Sequence, residues 1–380
     1  MFPKKLQQKL EERKANNALR KLGVQSNLID FSSNDYLGFS KSETIFNSAH
    51  EYLVGHNIIQ NGSTGSRLLS GNNQLYNIIE AMLASFHNSE TALVFNSGYD
   101  ANVGFFSSVA QRGDIILYDE YIHASIRDGI TMSNAKPYKF KHNNIKDLEC
   151  HLERSRKVSR ETNIYIATES VFSMDGDTPD LTLMSQICKT YNAFLVVDEA
   201  HALGVFGEQG VGIIQNLGLE KDIFARIITF GKAMGCHGSA ILCSKNLKEY
   251  LVNFSRSFIY TTALPPHSLA TIHTAYHELI ISENLDRLHQ NVQLFKSEIV
   301  KNKLQDIFIE SHSTIHCCII SGNNKVKSIS EKLQDNGFNV KPILSPTVPK
   351  GKERLRFCLN SYNSPQEITK VLNLLATFVT

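Results

Sequence analysis

The sequence predicts an α/β fold built on a mainly parallel sheet, and three observations lead there. Short apolar β-type runs recur at 91–95, 115–118, 163–168, 193–198, 226–230 and 239–242. Helical patterns fall between them, for example at 73–86, 99–110 and 181–191. The alternation stops at Leu264-Pro265-Pro266. Strands alternating with helices imply a sheet covered on both faces, its strands joined by crossovers.

The segments outside this core follow in order. Residues 4–21 form a Lys/Arg/Gln/Glu-rich helical pattern with Leu6, Leu10 and Leu19 as a thin apolar stripe. Leu28-Ile29-Asp30-Phe31 reads as a short strand ending in the turn-rich segment Ser32 to Gly38. Beyond the prolines, a long helix is expected over about 267–303. Shorter strands at 307–310, 314–320, 339–343 and 354–359 follow, separated by helices. The expected organisation is an N-terminal segment (1–45), a large α/β domain (46–266) and a smaller α+β domain (267–380). No internal repeat or low-complexity linker interrupts it.

Composition narrows the function classes. At 380 residues the chain can bury a large core. A net charge of +2 argues against nucleic acid or a membrane surface as the main partner. No apolar run approaches the roughly 20 residues that span a bilayer, and the charged N-terminus lacks a signal-peptide core. Seven cysteines (150, 188, 236, 243, 317, 318 and 358) form no C-x-x-C pair. An odd set of this kind fits reduced thiols in a cytoplasm better than a disulfide framework.

The residues that could carry chemistry sit at the ends of the apolar runs. In Thr229-Phe230-Gly231-Lys232-Ala233-Met234-Gly235 the lysine follows a β-type run and lies between glycines. A lysine held off solvent there would offer its free amine to an aldehyde; the alternative is a surface lysine after a buried strand. Asp198, closing Phe194 to Val197, stands where ligands bind in open α/β sheets, with His201 three residues on. Buried, it would call for a cation. The string DEAH also occurs in helicases, but those need a G-x-x-x-x-G-K-[ST] loop, and here Ala233 follows the lysine. A nucleotide-dependent oxidoreductase would need a G-x-G-x-x-G turn, which is also missing.

Ser97-Gly98-Tyr99 opens a helical pattern after a strand, and is either an anion-binding turn or an ordinary N-cap. His123 could stack on an aromatic ligand or cap a helix. The acidic loop Glu169 to Asp177 lacks the oxygen-ligand spacing of a calcium loop. His312 and His316 fall in a strand-like alternation that would separate them, so no zinc site is expected.

Taken together and in order, these segments resemble the α-oxoamine synthases, a fold-type-I family of enzymes that use pyridoxal 5′-phosphate (PLP). The resemblance covers nearly the whole chain. It rests on FSSNDYLG (31–38), GSTGSRLLSG (62–71), Ser97-Gly98-Tyr99, His123-Ala124-Ser125, FSMDGD (172–177), DEAHALGV (198–205), TFGKAMG (229–235), IYTTALPP (259–266) and PTVPKGKERLRF (346–357). It implies that Lys232 bonds covalently to PLP, that Asp198 pairs with the ring nitrogen and that His123 stacks on the ring. His201 and Ser173 would meet the phenolic oxygen. Ser97, Gly98, Tyr99 and Thr229 would hold the phosphate, with Thr262 reaching the phosphate of a second subunit. Arg356 would clamp the amino-acid carboxylate, with Arg20, Asn34, His123 and Cys358 also around the substrates.

The activity implied is condensation of an amino acid with an acyl thioester, with loss of CO2, in a homodimer with shared sites. Within the family the chain looks most like the biotin-pathway members, which join alanine to a pimeloyl thioester. The alternatives are glycine C-acetyltransferase or another α-oxoamine synthase, such as serine palmitoyltransferase. Two departures from the family pattern are Met234 to Gly238, where smaller and less polar residues are usual, and Cys358, where threonine is common.

Overall fold

The computed structural model describes residues 2–23, 27–158 and 162–379. In chain order the elements begin with α1 (Lys4–Ala15), β1 (Ile29–Asp30), α2 (Glu43–Gly55), α3 (Gln74–Phe86), β2 (Thr91–Phe95) and α4 (Gly98–Ser108). There follow β3 (Ile115–Asp119), α5 (Ala124–Met132), β4 (Lys136–Phe140), α6 (Ile145–Val158), β5 (Ile164–Glu169), α7 (Leu181–Thr190) and β6 (Phe194–Asp198). Next are α8 (Ile213–Asn216), β7 (Ala225–Thr229), β8 (Ser239–Cys243), α9 (Lys245–Phe254), α10 (Arg256–Ile259), α11 (Pro266–Ile281) and α12 (Asn284–Lys301). The chain closes with β9 (Ile315–Ile319), α13 (Asn323–Asp335), β10 (Phe338–Asn339), β11 (Lys341–Ile343), β12 (Arg354–Cys358) and α14 (Pro365–Val379).

These elements form two compact units. One comprises Asp35–Phe172 and Thr178–Leu285; the other comprises Met1–Asn34, Ser173–Asp177 and Asp286–Thr380.

The larger unit holds a seven-stranded sheet of order β2-β8-β7-β6-β5-β3-β4. Its strands pair in parallel except at β8, which runs antiparallel to both β2 and β7. The connection from β7 to β8, residues 230–238, is too short for a crossover helix, so the chain must turn back on itself. Alternate residues of each strand feed two cores. Ile116, Ala167, Val196, Ile227 and Ile241 pack with Phe105 and Phe106. Leu117, Ile166, Leu195 and Val197 pack with Met184 and Ile187. Burial on both faces explains why these strands read as continuous apolar runs.

The smaller unit carries an antiparallel sheet of order β11-β12-β9 and a short parallel ladder of β1 with β10. Its core gathers Phe31, Phe295, Phe338 and Phe357 with the inner faces of α13 and α14.

Three expectations about elements change. The helix over 4–21 stops at Ala15, because Asn17 takes up a left-handed conformation (φ 49°), which asparagine tolerates better than most residues. The single helix over 267–303 is two, α11 and α12, broken where Ser282 is extended (φ −83°, ψ 149°). The strand over 307–310 is a 3-10 turn, Gln305–Ile307, after which Phe308 makes a lone bridge to Cys318. Among the described residues no helix is long and apolar enough to cross a membrane.

Candidate active site

Four polar side chains stand at the C-terminal ends of neighbouring strands in the larger unit: Asp119 on β3, Glu169 on β5, Asp198 on β6 and Thr229 on β7. Parallel pairing brings such ends to one edge of a sheet, where loops and helix starts converge. Glu169 and Asp198 are direct partners in the β5–β6 register.

Asp198 is 6% exposed, and its two oxygens are held by different donors. Oδ1 accepts from the backbone N–H of Ala200 (2.9 Å), and Oδ2 from Nδ2 of Asn102 (2.8 Å). No cation forms an ion pair with Asp198 among the described residues. A buried carboxylate in that condition strongly favours a cationic partner.

The same Asn102 amide donates its second hydrogen to Oγ of Ser125 (3.0 Å). Ser125 Oγ lies 2.7 Å from Nδ1 of His123, and the Ser125 N–H donates to that nitrogen (3.2 Å). Nδ1 is therefore an acceptor, which leaves the ring proton on Nε2. Burial holds the His123 pKa below the usual value, with the positive charge of Lys232 acting in the same direction and Asp198 opposing both. His123 is thus a neutral imidazole at pH 7, and it also caps α5. Its backbone N–H donates to Glu169 Oε1 at 2.5 Å.

His201 is buried, and its Nδ1 lies 2.7 Å from the Tyr36 hydroxyl. Ser97 caps α4, accepting from the Asp100 N–H (3.1 Å) and donating to Asp100 Oδ2 (2.9 Å). The N–H groups of Gly98 and Tyr99 have no partner among the described residues. A side chain at Gly98 would stand 3.5 Å from Thr229 Oγ1, so that hydroxyl faces the start of α4. Free N–H groups at a helix start together with a hydroxyl make an anion cradle. Thr262 is exposed, and its carbonyl accepts from Asn96 Nδ2.

Lys232 is half-buried in the turn between β7 and β8. The turn closes through Gly235 N–H to Lys232 O (2.9 Å) and Cys236 N–H to Phe230 O (2.7 Å). Gly235 has φ 62°, and a side chain there would run into the backbone of Phe39 and Ser40. Burial pushes the neighbouring Cys236 thiol up to about 12, so it is no nucleophile at neutral pH.

The smaller unit gathers a second group. Arg356, on β12, is 7% exposed. It donates from Nε to the Ser173 carbonyl (2.7 Å), from Nη2 to Asn34 Oδ1 (3.0 Å) and from Nη1 to Cys358 Sγ (2.8 Å). Of the residues that the sequence marks for the substrate, Asn34, Arg356 and Cys358 are therefore in contact, beside the backbone of Ser173. Arg20 lies apart from them and reaches Thr347 Oγ1 (3.3 Å).

Sequence reasoning passed over Asn102, Ser125, Glu169 and Tyr36 as site residues, although all four lie in segments it singled out. The available signal was a polar residue placed inside an otherwise small or apolar stretch, as Asn102 is within α4.

Comparison with known proteins agrees with this architecture. The chain is 39% identical over 392 residues to 8-amino-7-oxononanoate synthase of Emericella nidulans, covering 98% of this chain and 95% of that protein. A serine palmitoyltransferase of Sphingomonas wittichii superposes with a TM-score of 0.89 at 27% identity, covering 99% of this chain and 97% of the other. A serine palmitoyltransferase of S. paucimobilis, solved with a bound PLP–myriocin adduct, gives a TM-score of 0.88 at 27% identity over 99% and 96% of the two chains. An 8-amino-7-oxononanoate synthase of Francisella tularensis gives 0.76 at 29% identity over 93% and 98%. The aminotransferase class I and II family pattern extends over residues 26–375, and the chain belongs to that family.

Proposed function

We propose that this protein is a PLP-dependent acyltransferase that condenses L-alanine with a pimeloyl thioester, on CoA or a carrier protein, to give 8-amino-7-oxononanoate for biotin synthesis. CO2 and the free thiol are the other products. The observation that carries the substrate assignment is the 39% identity to a synthase of that name across almost the whole chain.

The residues fit the cofactor. Asp198 is a buried carboxylate with no ion pair among the described residues and suits a protonated ring nitrogen. The free N–H groups of Gly98 and Tyr99, with the Thr229 hydroxyl, suit a phosphate. Once bound, PLP supplies an aldehyde that bonds to amines and a ring that takes up electron density from the substrate carbon.

The chain's own residues do the rest. Lys232 Nζ would hold the cofactor through its aldehyde and, once free, would move a proton at the substrate α-carbon. Asp198 keeps the ring nitrogen protonated, and Asn102 holds Asp198 in place. His123, a neutral imidazole with its proton on Nε2, covers the ring without adding charge. His201, oriented by Tyr36, serves the phenolic oxygen together with Ser173. Arg356 takes the substrate carboxylate, a forked contact that lysine could not reproduce. Thr262 serves the phosphate of a second subunit, so the working form is a cytoplasmic homodimer acting on small molecules.

One observation favours a second reading: the backbone superposes better on the serine palmitoyltransferases (0.88 and 0.89) than on the Francisella synthase (0.76). The deciding experiment offers alanine, glycine and serine against pimeloyl-, acetyl-, succinyl- and palmitoyl-CoA, with thiol release as readout. Turnover is expected with alanine and pimeloyl-CoA. Turnover confined to serine and palmitoyl-CoA, or to glycine and acetyl-CoA, would replace the assignment. Lys232→Ala is expected to abolish turnover and the yellow colour of the PLP-bound protein.

A further inference from the structure

Strand β12 alternates in the smaller unit: Leu355 and Phe357 enter its core, and Arg354, Arg356 and Cys358 share the opposite face. The two arginines on that face are held differently. Arg354 pairs with the Asp175 carboxylate and donates to the Met174 carbonyl (2.9 Å). Arg356 donates from each of its three nitrogens to a neutral acceptor: Nε to the Ser173 carbonyl, Nη1 to Cys358 Sγ (2.8 Å) and Nη2 to Asn34 Oδ1 (3.0 Å). The Cys358 thiol is fully buried and donates weakly in turn to Asn34 Oδ1 (3.8 Å). Arg356, Cys358 and Asn34 thus close a ring of three hydrogen bonds, with sulfur and amide oxygen at the two tips of the guanidinium fork.

We infer that Cys358 and Asn34 are positioning residues of the carboxylate clamp: they hold the Arg356 fork in the plane in which it meets the substrate carboxylate. A guanidinium grips both oxygens of a carboxylate only when its two Nη groups lie in one plane with them. A long side chain that must find that plane on binding gives up rotamer freedom, and one already held there does not. Cys358, with no exposed surface, acts through Arg356 and not on the substrate itself. Neutral partners suit this task, because they orient the fork without cancelling its charge. The inference rests on the reading of Arg356 as the carboxylate clamp and is independent of which acyl thioester is used.

The test titrates the full chain, loaded with PLP, with alanine and separately with ethylamine, which is alanine without its carboxylate. The dissociation constant of each amine is read from the absorbance change of the bound cofactor. In Cys358→Ala and in Asn34→Ala, alanine is expected to bind roughly tenfold more weakly, because a hydrogen bond to a charged group is lost. Ethylamine should stay within about twofold of wild type, since it offers Arg356 nothing to grip. Cys358→Ser keeps an atom that both accepts and donates, and should hold alanine affinity within about threefold of wild type. Equal weakening of both amines in Cys358→Ala is the mark of a merely structural role and overturns the inference. Unchanged alanine affinity in Cys358→Ala, or a serine variant as weak as the alanine one, overturns it too. Arg356→Ala should erase the preference for alanine over ethylamine. If that preference survives, the clamp reading of Arg356 itself fails, which separates that failure from this one.

Discussion

Asn102 Nδ2 lies 2.8 Å from Asp198 Oδ2, and the same amide reaches Ser125, which in turn holds His123. One side chain, 2% exposed, thus couples the carboxylate assigned to the cofactor nitrogen with the imidazole assigned to the cofactor face. The amide orientation follows from its partners, because only the NH2 group can satisfy a carboxylate and a hydroxyl that itself donates to a ring nitrogen.

Asn102→Asp tests this coupling. It places a second carboxylate against Asp198, so one of the two must hold a proton near neutral pH. PLP affinity is expected to fall tenfold or more, measured by equilibrium dialysis, and to recover partly as pH falls. Asn102→Ala removes the hydrogen bonds without adding charge and should cost about 1–3 kcal/mol of stability by urea denaturation.

Gly235→Ala tests the turn that presents Lys232. The left-handed backbone and the contact with Phe39 and Ser40 leave no room for a methyl group. Formation of the Lys232–PLP bond, read by absorbance, should slow at least tenfold, while an alanine at Gly55, where the backbone is not left-handed and a Cβ meets nothing within 4 Å, should leave it unchanged.

The Arg226–Glu199 pair is a buried ion pair between β7 and the residue that follows β6. The two groups meet at 2.7 Å with side-chain exposures of 3% and 0%, and Glu199 also accepts from the Ile214 N–H. Arg226→Met leaves a buried carboxylate uncompensated and should cost about 3–5 kcal/mol in urea denaturation. Adding Glu199→Gln should recover part of that loss, since the stranded charge is then gone.

His316 makes the stability of the smaller unit depend on pH. Its side chain is buried against Phe295, and burial, with Lys296 adding to it, lowers its pKa from 6.5 to about 3. Below pH 6.5 the unfolded chain binds a proton that the folded chain refuses, so stability is lost as pH falls from about 6.5 towards 3. The loss reaches at most roughly 5 kcal/mol. His316→Phe should flatten this dependence in urea titrations between pH 7 and pH 4.

Much of the larger unit was legible in the sequence because its strands are buried on both faces and their ends carry polar residues. Lys232, Asp198, His123 and Thr229 stood out for that reason. The antiparallel course of β8 was hidden in its apolar composition, which is the same for either direction; only the short link after Thr229 carried the signal. Strand β4 was missed because four of its five residues are exposed, so an edge strand shows lysines where a core strand shows leucines. The break between α11 and α12 was missed because Ser282 and Glu283 differ little from their helical neighbours in propensity.

By itself the sequence determined which side chains end the strands, in what order they come, and that Lys232 follows a strand and lies between glycines. Only the tertiary structure decided that Glu169 stands beside Asp198, that Asn102 ties Asp198 to Ser125 and His123, and that Arg356 is held by Ser173 and Asn34. The physical reason is that strand ends follow from local hydrophobic pattern. Burial, charge coupling and hydrogen-bond partners belong instead to residues tens to hundreds of positions apart, which meet only when the sheets and their helices pack.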